Sequence, residues 1–143
     1  LGNNAELARR AGWRIDGRFA EQELGFIGTP AAPATAAQIG AALERLLGRA
    51  MLVVGDVDRP VTRLAWCSGG AQGYFEQAIV AGADCFVSGE ISEQTVHLAR
   101  ESGVPYIAAG HHATERYGVQ ALGRHLAERH GLACEYFELD NPV

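Results

Sequence analysis

The chain has 143 residues, of which 48% are hydrophobic and 20% are charged, a composition that suits one soluble globular domain with a core. Its net charge of −5, from 17 acidic residues and 12 arginines, argues against nucleic-acid binding, because phosphate contacts need a clustered basic face. No apolar run approaches the ~20 residues that span a bilayer, so no membrane role is expected.

A short leading helix and two strands are predicted at the start of the chain. Asn3 and Glu6 have the spacing of a capping box, and the helix that they open should end at Gly12. The turn-rich sequence that follows contains two strand candidates, at 13–19 and 24–29.

A second helix is predicted after an Ala/Pro-rich connector. Thr35 and Gln38 form a capping box, an apolar stripe follows, and Gly48 ends the helix. A strand over 51–54 comes next. The predicted division of the chain is a leading helix, a small α+β subdomain and an α/β domain, at 1–12, 13–60 and 61–143.

Regular alternation of strands and helices begins after residue 60. The predicted elements are strands at 61–67, 84–88, 104–109 and 133–138 and helices at 71–82, 92–102 and 113–130. Short apolar strands interleaved with helices predict an α/β fold in which helices flank a mostly parallel sheet. Three loops, 68–73, 88–93 and 110–115, each lead from a strand into a helix. Because ligand sites gather at the carboxyl ends of such strands, these loops should meet at one edge.

The last of these loops carries an imidazole and a carboxylate four residues apart, His111 and Glu115. If both lie at a helix start, they project from one face about 5–6 Å apart, a spacing that suits half of a divalent-metal site. The alternative is a plain helix start, in which Glu115 interacts with the helix dipole and His111 caps or packs.

Each of the other polar residues near this edge has two possible roles, one functional and one structural. The glycine-rich turn Gly69–Gly73, with Gln72, could receive an anion or could simply allow close backbone packing. Glu90 could support the site as a base or be a solvated loop acid. His97 could face the same cleft or simply make a core contact. His112 is expected to point elsewhere and to be structural or to support a ligand from outside the site. No catalytic residue can be assigned.

The three cysteines, Cys67, Cys85 and Cys134, are widely spaced and lie in apolar sequence. This pattern favours buried reduced thiols in a cytoplasmic protein over a disulfide framework or a zinc knuckle.

Four strings in this order resemble the Nif-three-like dinuclear-metal proteins, whose members are often named type 2 GTP cyclohydrolase I homologues. The strings are Ala65-Trp-Cys-Ser-Gly-Gly70, Phe86-Val-Ser-Gly-Glu-Ile-Ser-Glu-Gln-Thr-Val-His97, Ala108-Ala-Gly-His-His-Ala-Thr-Glu115 and Asp140-Asn-Pro142. The resemblance implies that the chain is the C-terminal portion of such a protein, with residues 1–12 as the tail of a missing N-terminal half.

The resemblance also implies a cytoplasmic α/β protein that assembles as a hexameric ring with two divalent metal ions in each subunit. Its metal ligands in this chain would be His111 and Glu115, and the remaining ligands, a His-His-Gly motif and an Asp, would lie outside it. Zn, Fe, Mn, Ni and Mg cannot be told apart from the sequence.

The function that the resemblance implies is that of a metal-dependent hydrolase or cyclohydrolase acting on a nucleotide-like or other small substrate. Two alternatives remain open at this point. One is a non-catalytic metal-binding ring scaffold, and the other is a ring that handles nucleic acid, which the net charge of −5 disfavours.

Overall fold

The computed structural model describes residues 1–143. Its central feature is a six-stranded sheet with helices packed on both faces. The strands are β1 Arg14–Phe19, β2 Gly25–Thr29, β3 Ala34–Thr35, β4 Leu52–Val54, β5 Pro60–Val61, β6 Leu64–Cys67, β7 Cys85–Ser88 and β8 Tyr106–Ala108. The helices are α1 Asn3–Ala11, α2 Ala36–Leu47, α3 Phe75–Val80, α4 Glu93–Ser102 and α5 His111–His130. No helix combines the length and apolarity needed to cross a membrane.

The strand order of the large sheet is β1-β2-β6-β7-β8-β4, and β3 pairs with β5 in a separate two-stranded sheet. The central strands β6, β7 and β8 are parallel, which confirms the α/β class. The expectation of a mostly parallel sheet is corrected at the flanks, where β1, β2 and β4 all pair antiparallel. The fold is therefore a mixed sheet with a parallel centre.

Strands from both sides of residue 60 share this sheet. β1, β2 and β4 come from the predicted subdomain over 13–60, yet they extend the two open edges of the parallel strands. The edge of a parallel sheet presents unpaired N–H and C=O groups. β2 pairs with those of β6, and β4 pairs with those of β8. Residue 60 therefore separates neither two sheets nor two cores.

Alternate residues of each central strand enter cores on opposite faces of the sheet. Leu64 and Trp66 pack with α1, α2 and α5, whereas Ala65 and Cys67 pack with α3 and α4. All four side chains are buried. The near-continuous apolar runs in the sequence thus reflect strands covered on both faces.

Two local expectations differ from the structure. The segment 133–138, predicted as a strand, has no regular structure and pairs with no strand of the sheet. Its apolar and aromatic residues favour a strand, but a strand also needs a pairing partner, which the sheet does not supply. Asn3 is not a cap, because Gly2 holds the N-cap position and the Asn3 side chain instead accepts a hydrogen bond from Gly118 N at 2.9 Å.

The second predicted capping box is confirmed. Thr35 Oγ1 accepts from Gln38 N, and Gln38 Oε1 accepts from Thr35 N, at 3.3 and 2.9 Å. Gly48 ends α2 in the left-handed conformation that glycine adopts without strain.

Asp84 joins the starts of β6 and β7. Its Oδ2 accepts from Thr62 N, Thr62 Oγ1 and Arg63 N at 2.9, 2.7 and 2.9 Å. Burial raises the pKa of Asp84, but the hydrogen bonds from Thr62 and Arg63 outweigh this effect and hold the pKa below its usual value.

We expect Asp84→Ala to lower the free energy of unfolding by about 1–3 kcal/mol, because it leaves these donors without an acceptor. Urea denaturation measures the change, with Asp58→Ala as an exposed control. A depressed folded-state pKa means that the stabilisation is present above the unfolded pKa of about 3.9 and is lost as the pH falls through the folded value. The difference in free energy of unfolding between wild type and Asp84→Ala should therefore narrow only below about pH 4. A difference that stays constant as the pH falls would contradict this account.

Candidate metal centre

The three loops at the carboxyl ends of β6, β7 and β8 meet through their backbones, as predicted. Gly89 N donates to Gly69 O, and Gly110 N donates to Gly89 O, both at 2.9 Å. Parallel pairing of the strands brings these ends to one edge, and the two hydrogen bonds then fix the loops against each other.

His111 begins α5 and lies between two carboxylates. Its Nδ1 is 2.6 Å from Glu90 Oε1, and its Nε2 is 3.2 Å from Glu115 Oε2. The three side chains are 41%, 37% and 39% exposed, so a small ligand can reach them. The structure thus brings together the predicted pair and Glu90, for which the sequence left two readings open.

His111 and Glu90 each stabilise the charged form of the other. The hydrogen bond to Glu90 raises the pKa of His111, and the carboxylate of Glu115 raises it further. The hydrogen bond from His111, followed by that from Gln72, lowers the pKa of Glu90. Gln72 Nε2 donates to Glu90 Oε2 at 3.3 Å, so the glycine-rich turn contributes a side chain to the site.

Two fully buried hydroxyl groups hold the loops in place. Thr114 Oγ1 accepts from Gly69 N at 3.0 Å and donates to Gly110 O at 2.9 Å. Ser88 Oγ donates to Gly69 O at 3.2 Å. Because buried polar groups are costly unless paired, these bonds favour one arrangement of the loops around His111.

Ser68 and Asn4 belong to the site although the sequence did not single out either of them. Ser68 Oγ donates to Glu115 Oε1 at 3.2 Å, and Ser68 N donates to Asn4 Oδ1 at 2.7 Å. Asn4 lies on α1, 64 residues away in sequence, and no local signal marks it. Ser68 could have been noticed as the first residue after a strand that ends at the predicted edge.

His97 and His112 do not join the centre. His97 is an exposed residue of α4 whose Nε2 lies 3.9 Å from Glu93. His112 interacts with the last residues of the chain, since its Nε2 is 2.7 Å from Glu138 Oε1 and its N donates to Val143 O. Cys67 is buried at the end of β6, and burial raises the pKa of its thiol, which disfavours a reactive thiolate.

Two cavities border the pair. One, of about 560 Å³, is the groove lined by Arg18, Leu24, Ser68, Tyr74 and Glu115 among others. The other, of about 500 Å³, lies between the start of α5 and the last residues of the chain, and both His111 and Glu115 line it. The carboxylate of Glu115 is therefore open to both cavities.

Residues 1–142 match the family described as Duf34/NIF3 (NGG1p interacting factor 3). The chain belongs to this family. The resemblance seen in the sequence is thereby confirmed.

Relatives of this Duf34/NIF3 chain include a protein of Allochromatium vinosum that is 52% identical and a protein of Pseudomonas aeruginosa that is 47% identical. Both are named GTP cyclohydrolase 1 type 2 homolog. Each match covers 100% of this chain but only 57% and 58% of the relative. These shares do not support the expected C-terminal placement, which stays a prediction.

Solved structures of the family agree with the fold. The protein described as "protein ybgI, unknown function" has a TM-score of 0.94 and 41% identity, over 100% of this chain and 57% of that one. A protein of Thermus thermophilus has a TM-score of 0.79 and 31% identity, over 96% of this chain and 54% of that one.

Gly69 packs directly against the pair. A Cβ atom at this position would lie 2.6 Å from Glu115 Oε1 and 3.1 Å from His111 Nε2, and the backbone φ is +71°. Gly48 has nearly the same φ, +73°, but a Cβ atom there would meet nothing. The two glycines therefore separate backbone strain from crowding of the site.

We expect Gly69→Ala and Gly48→Ala to lower the free energy of unfolding by similar amounts, about 1–2 kcal/mol, because both force alanine into the left-handed region. Only Gly69→Ala should also displace the flexible Glu115 carboxylate, which a crystal structure of the variant would show. An unmoved Glu115 in that structure would contradict the close contact.

Proposed function

We propose that His111 and Glu115 hold a divalent metal ion and that Glu90 positions His111. The observation that carries this proposal is the imidazole held between two carboxylates, with Nδ1 towards Glu90 and Nε2 towards Glu115. A carboxylate that accepts from Nδ1–H fixes the imidazole in the tautomer whose lone pair is on Nε2. Nε2, which faces the second carboxylate, is then the nitrogen that a metal ion would bind on displacing its proton.

The chemistry of these donors fits a metal ion. Imidazole nitrogen and carboxylate oxygen each lie ~2.0–2.2 Å from a bound zinc ion, so two such atoms 3.2 Å apart can share one ion. A nitrogen ligand suits Zn, Fe or Ni better than Mg, which prefers oxygen.

Two ligands make only part of a site. No group of three or more His, Cys, Asp or Glu side chains in this chain is placed to hold a metal ion. We propose that the remaining ligands come from the part of the longer family members that this chain does not span, and that the complete site holds two ions. Several further carboxylates and imidazoles would be needed to offset their four positive charges.

We further propose that the intact protein is a cytoplasmic hexameric ring that works as a metal-dependent hydrolase or cyclohydrolase on a nucleotide-like or other small substrate. The shared name of its relatives, GTP cyclohydrolase 1 type 2 homolog, supports this reaction class. Bound metal would supply an activated water and polarise the substrate. Ser68 lines the groove beside Glu115 and can orient a substrate there by hydrogen bonding.

Replacing Glu115 tests the ligand assignment. In the protein purified at its natural length, Glu115→Ala should bind far less metal than wild type, because one of the two ligands from this chain is lost. Elemental analysis after dialysis measures the metal-to-protein ratio. Glu93→Ala, which removes an exposed carboxylate from α4, should leave the ratio unchanged. Equal metal content in Glu115→Ala would refute the assignment.

Glu90 is a positioning residue in this proposal, and its variants should weaken metal binding without abolishing it. We expect Glu90→Ala to lower metal affinity about 10–100-fold, as is usual for the hydrogen-bond partners of ligating histidines. Glu90→Gln keeps a side-chain oxygen that can accept from His111 Nδ1–H, so its metal affinity should fall less than that of Glu90→Ala. Competition with a chromogenic chelator measures both, with the exposed Glu76→Gln as control. Unchanged affinity in Glu90→Ala would show that His111 needs no such partner.

Turnover distinguishes an enzyme from a non-catalytic ring. The protein at its natural length, reconstituted with Zn, Mn or Fe, should hydrolyse at least one member of a panel of nucleotides and esters. That activity should fall with the metal content of Glu115→Ala and persist in Glu93→Ala. Full metal loading without any turnover would favour the scaffold.

A further inference from the structure

The groove beside Glu115 contains a single basic side chain, that of Arg18 on β1. Ser68 and Glu115 line the same groove. A substrate that reaches the proposed metal pair from this side therefore passes one guanidinium, that of Arg18, in a lining that also holds the carboxylates of Glu23 and Glu115.

No carboxylate neutralises that charge within the chain. Five arginines form ion pairs, namely Arg9, Arg14, Arg59, Arg116 and Arg124. Arg18 is not among them, although the chain has more acidic than basic residues. Its guanidinium carbon lies 4.6 Å from the centroid of the Phe26 ring instead. Stacking on an aromatic face holds a guanidinium in place and leaves its N–H edge free to donate.

One segment beside the groove is strained. Gln22 and Glu23, which line the groove, have φ values of +52° and +57°, and Ala20 just before them has +66°. These three are the only residues other than glycine with positive φ. Side chains with a Cβ rarely adopt this conformation, and such strain concentrates at ligand sites when neighbouring bonds maintain it.

Asn4 supplies those neighbouring bonds. Its Nδ2 donates to Leu24 O at 2.8 Å, at the end of the strained loop, and its Oδ1 accepts from Ser68 N. Trp66 Nε1 donates to Asn4 O at 3.0 Å. The loop is thus tied through one side chain to the strand end that carries the Ser68 contact with Glu115.

We propose that this groove binds a small substrate through an anionic group, a phosphate or a carboxylate, which Arg18 receives. The planar fork of a guanidinium matches the oxygens of either group. The exposed side chain of Leu24 and the half-buried ring of Tyr74 offer apolar surface to the rest of the molecule. This inference rests on the proposed function, since it places the reacting part of the substrate at the metal pair.

The test uses protein of natural length from which metal has been removed by a chelator, so that no anion can bind through metal. Calorimetric titration at low ionic strength with inorganic phosphate and, separately, with acetate gives the dissociation constants. We expect saturable binding of at least one anion, weakened about tenfold or more by Arg18→Gln, because charge-assisted hydrogen bonds are lost. Arg45→Gln, an exposed change on α2 outside the groove, should leave the constants unchanged.

Arg18→Lys serves as a second variant that keeps the positive charge but loses the planar guanidinium. Its dissociation constant for the anion should lie between those of wild type and Arg18→Gln. Binding of phosphate alone assigns a phosphorylated substrate, and binding of acetate alone assigns a carboxylate. Anion binding that is equal in wild type and Arg18→Gln, or absent for both anions, would overturn the inference. Either result is independent of the metal content of Glu115→Ala, so the two proposals can fail separately.

Discussion

The close approach of three strand-end loops is the constraint on which the candidate centre depends. Gly89 is the tightest point, because a Cβ atom there would lie 2.6 Å from Gly69 O and 2.7 Å from the Cα atom of His111. Without a side chain at this position, the backbones of two loops and the first turn of α5 can touch. Thr114 and Ser88 then pair the buried polar groups that this contact creates. The positions of His111, Glu115 and Glu90 follow from that contact.

Much of the fold could be predicted because hydrophobic periodicity and capping signals are local. The alternation of short apolar strands with helices indicated the parallel centre and the shared edge of the loops. The antiparallel flanks were missed since partner choice between distant strands is not encoded in any one window of sequence. The segment 133–138 was wrongly predicted as a strand, because its sequence resembles a strand but the sheet offers it no partner.

The candidate site was predictable to a similar degree. His111 and Glu115 are four residues apart, so helical geometry alone brings them together. Glu90 and Gln72 came from two other loops, and the sequence placed them near the edge without fixing what they contact. Asn4 could not be predicted, since a side chain on α1 reaches Ser68 only after the whole sheet has formed.

The crossing of α1 and α5 at Gly118 links this architecture to mutational tolerance. The Asn3 amide oxygen occupies the space where a Cβ atom of residue 118 would stand. A larger residue there would displace the Asn3 side chain, with loss of its hydrogen bond from Gly118 N, or push the two helices apart, and the first turn of α5 bears His111. Position 118 lies seven residues along the same helix from His111. A substitution at this inconspicuous glycine would thus reach the His111 end of the helix as a change of helix tilt.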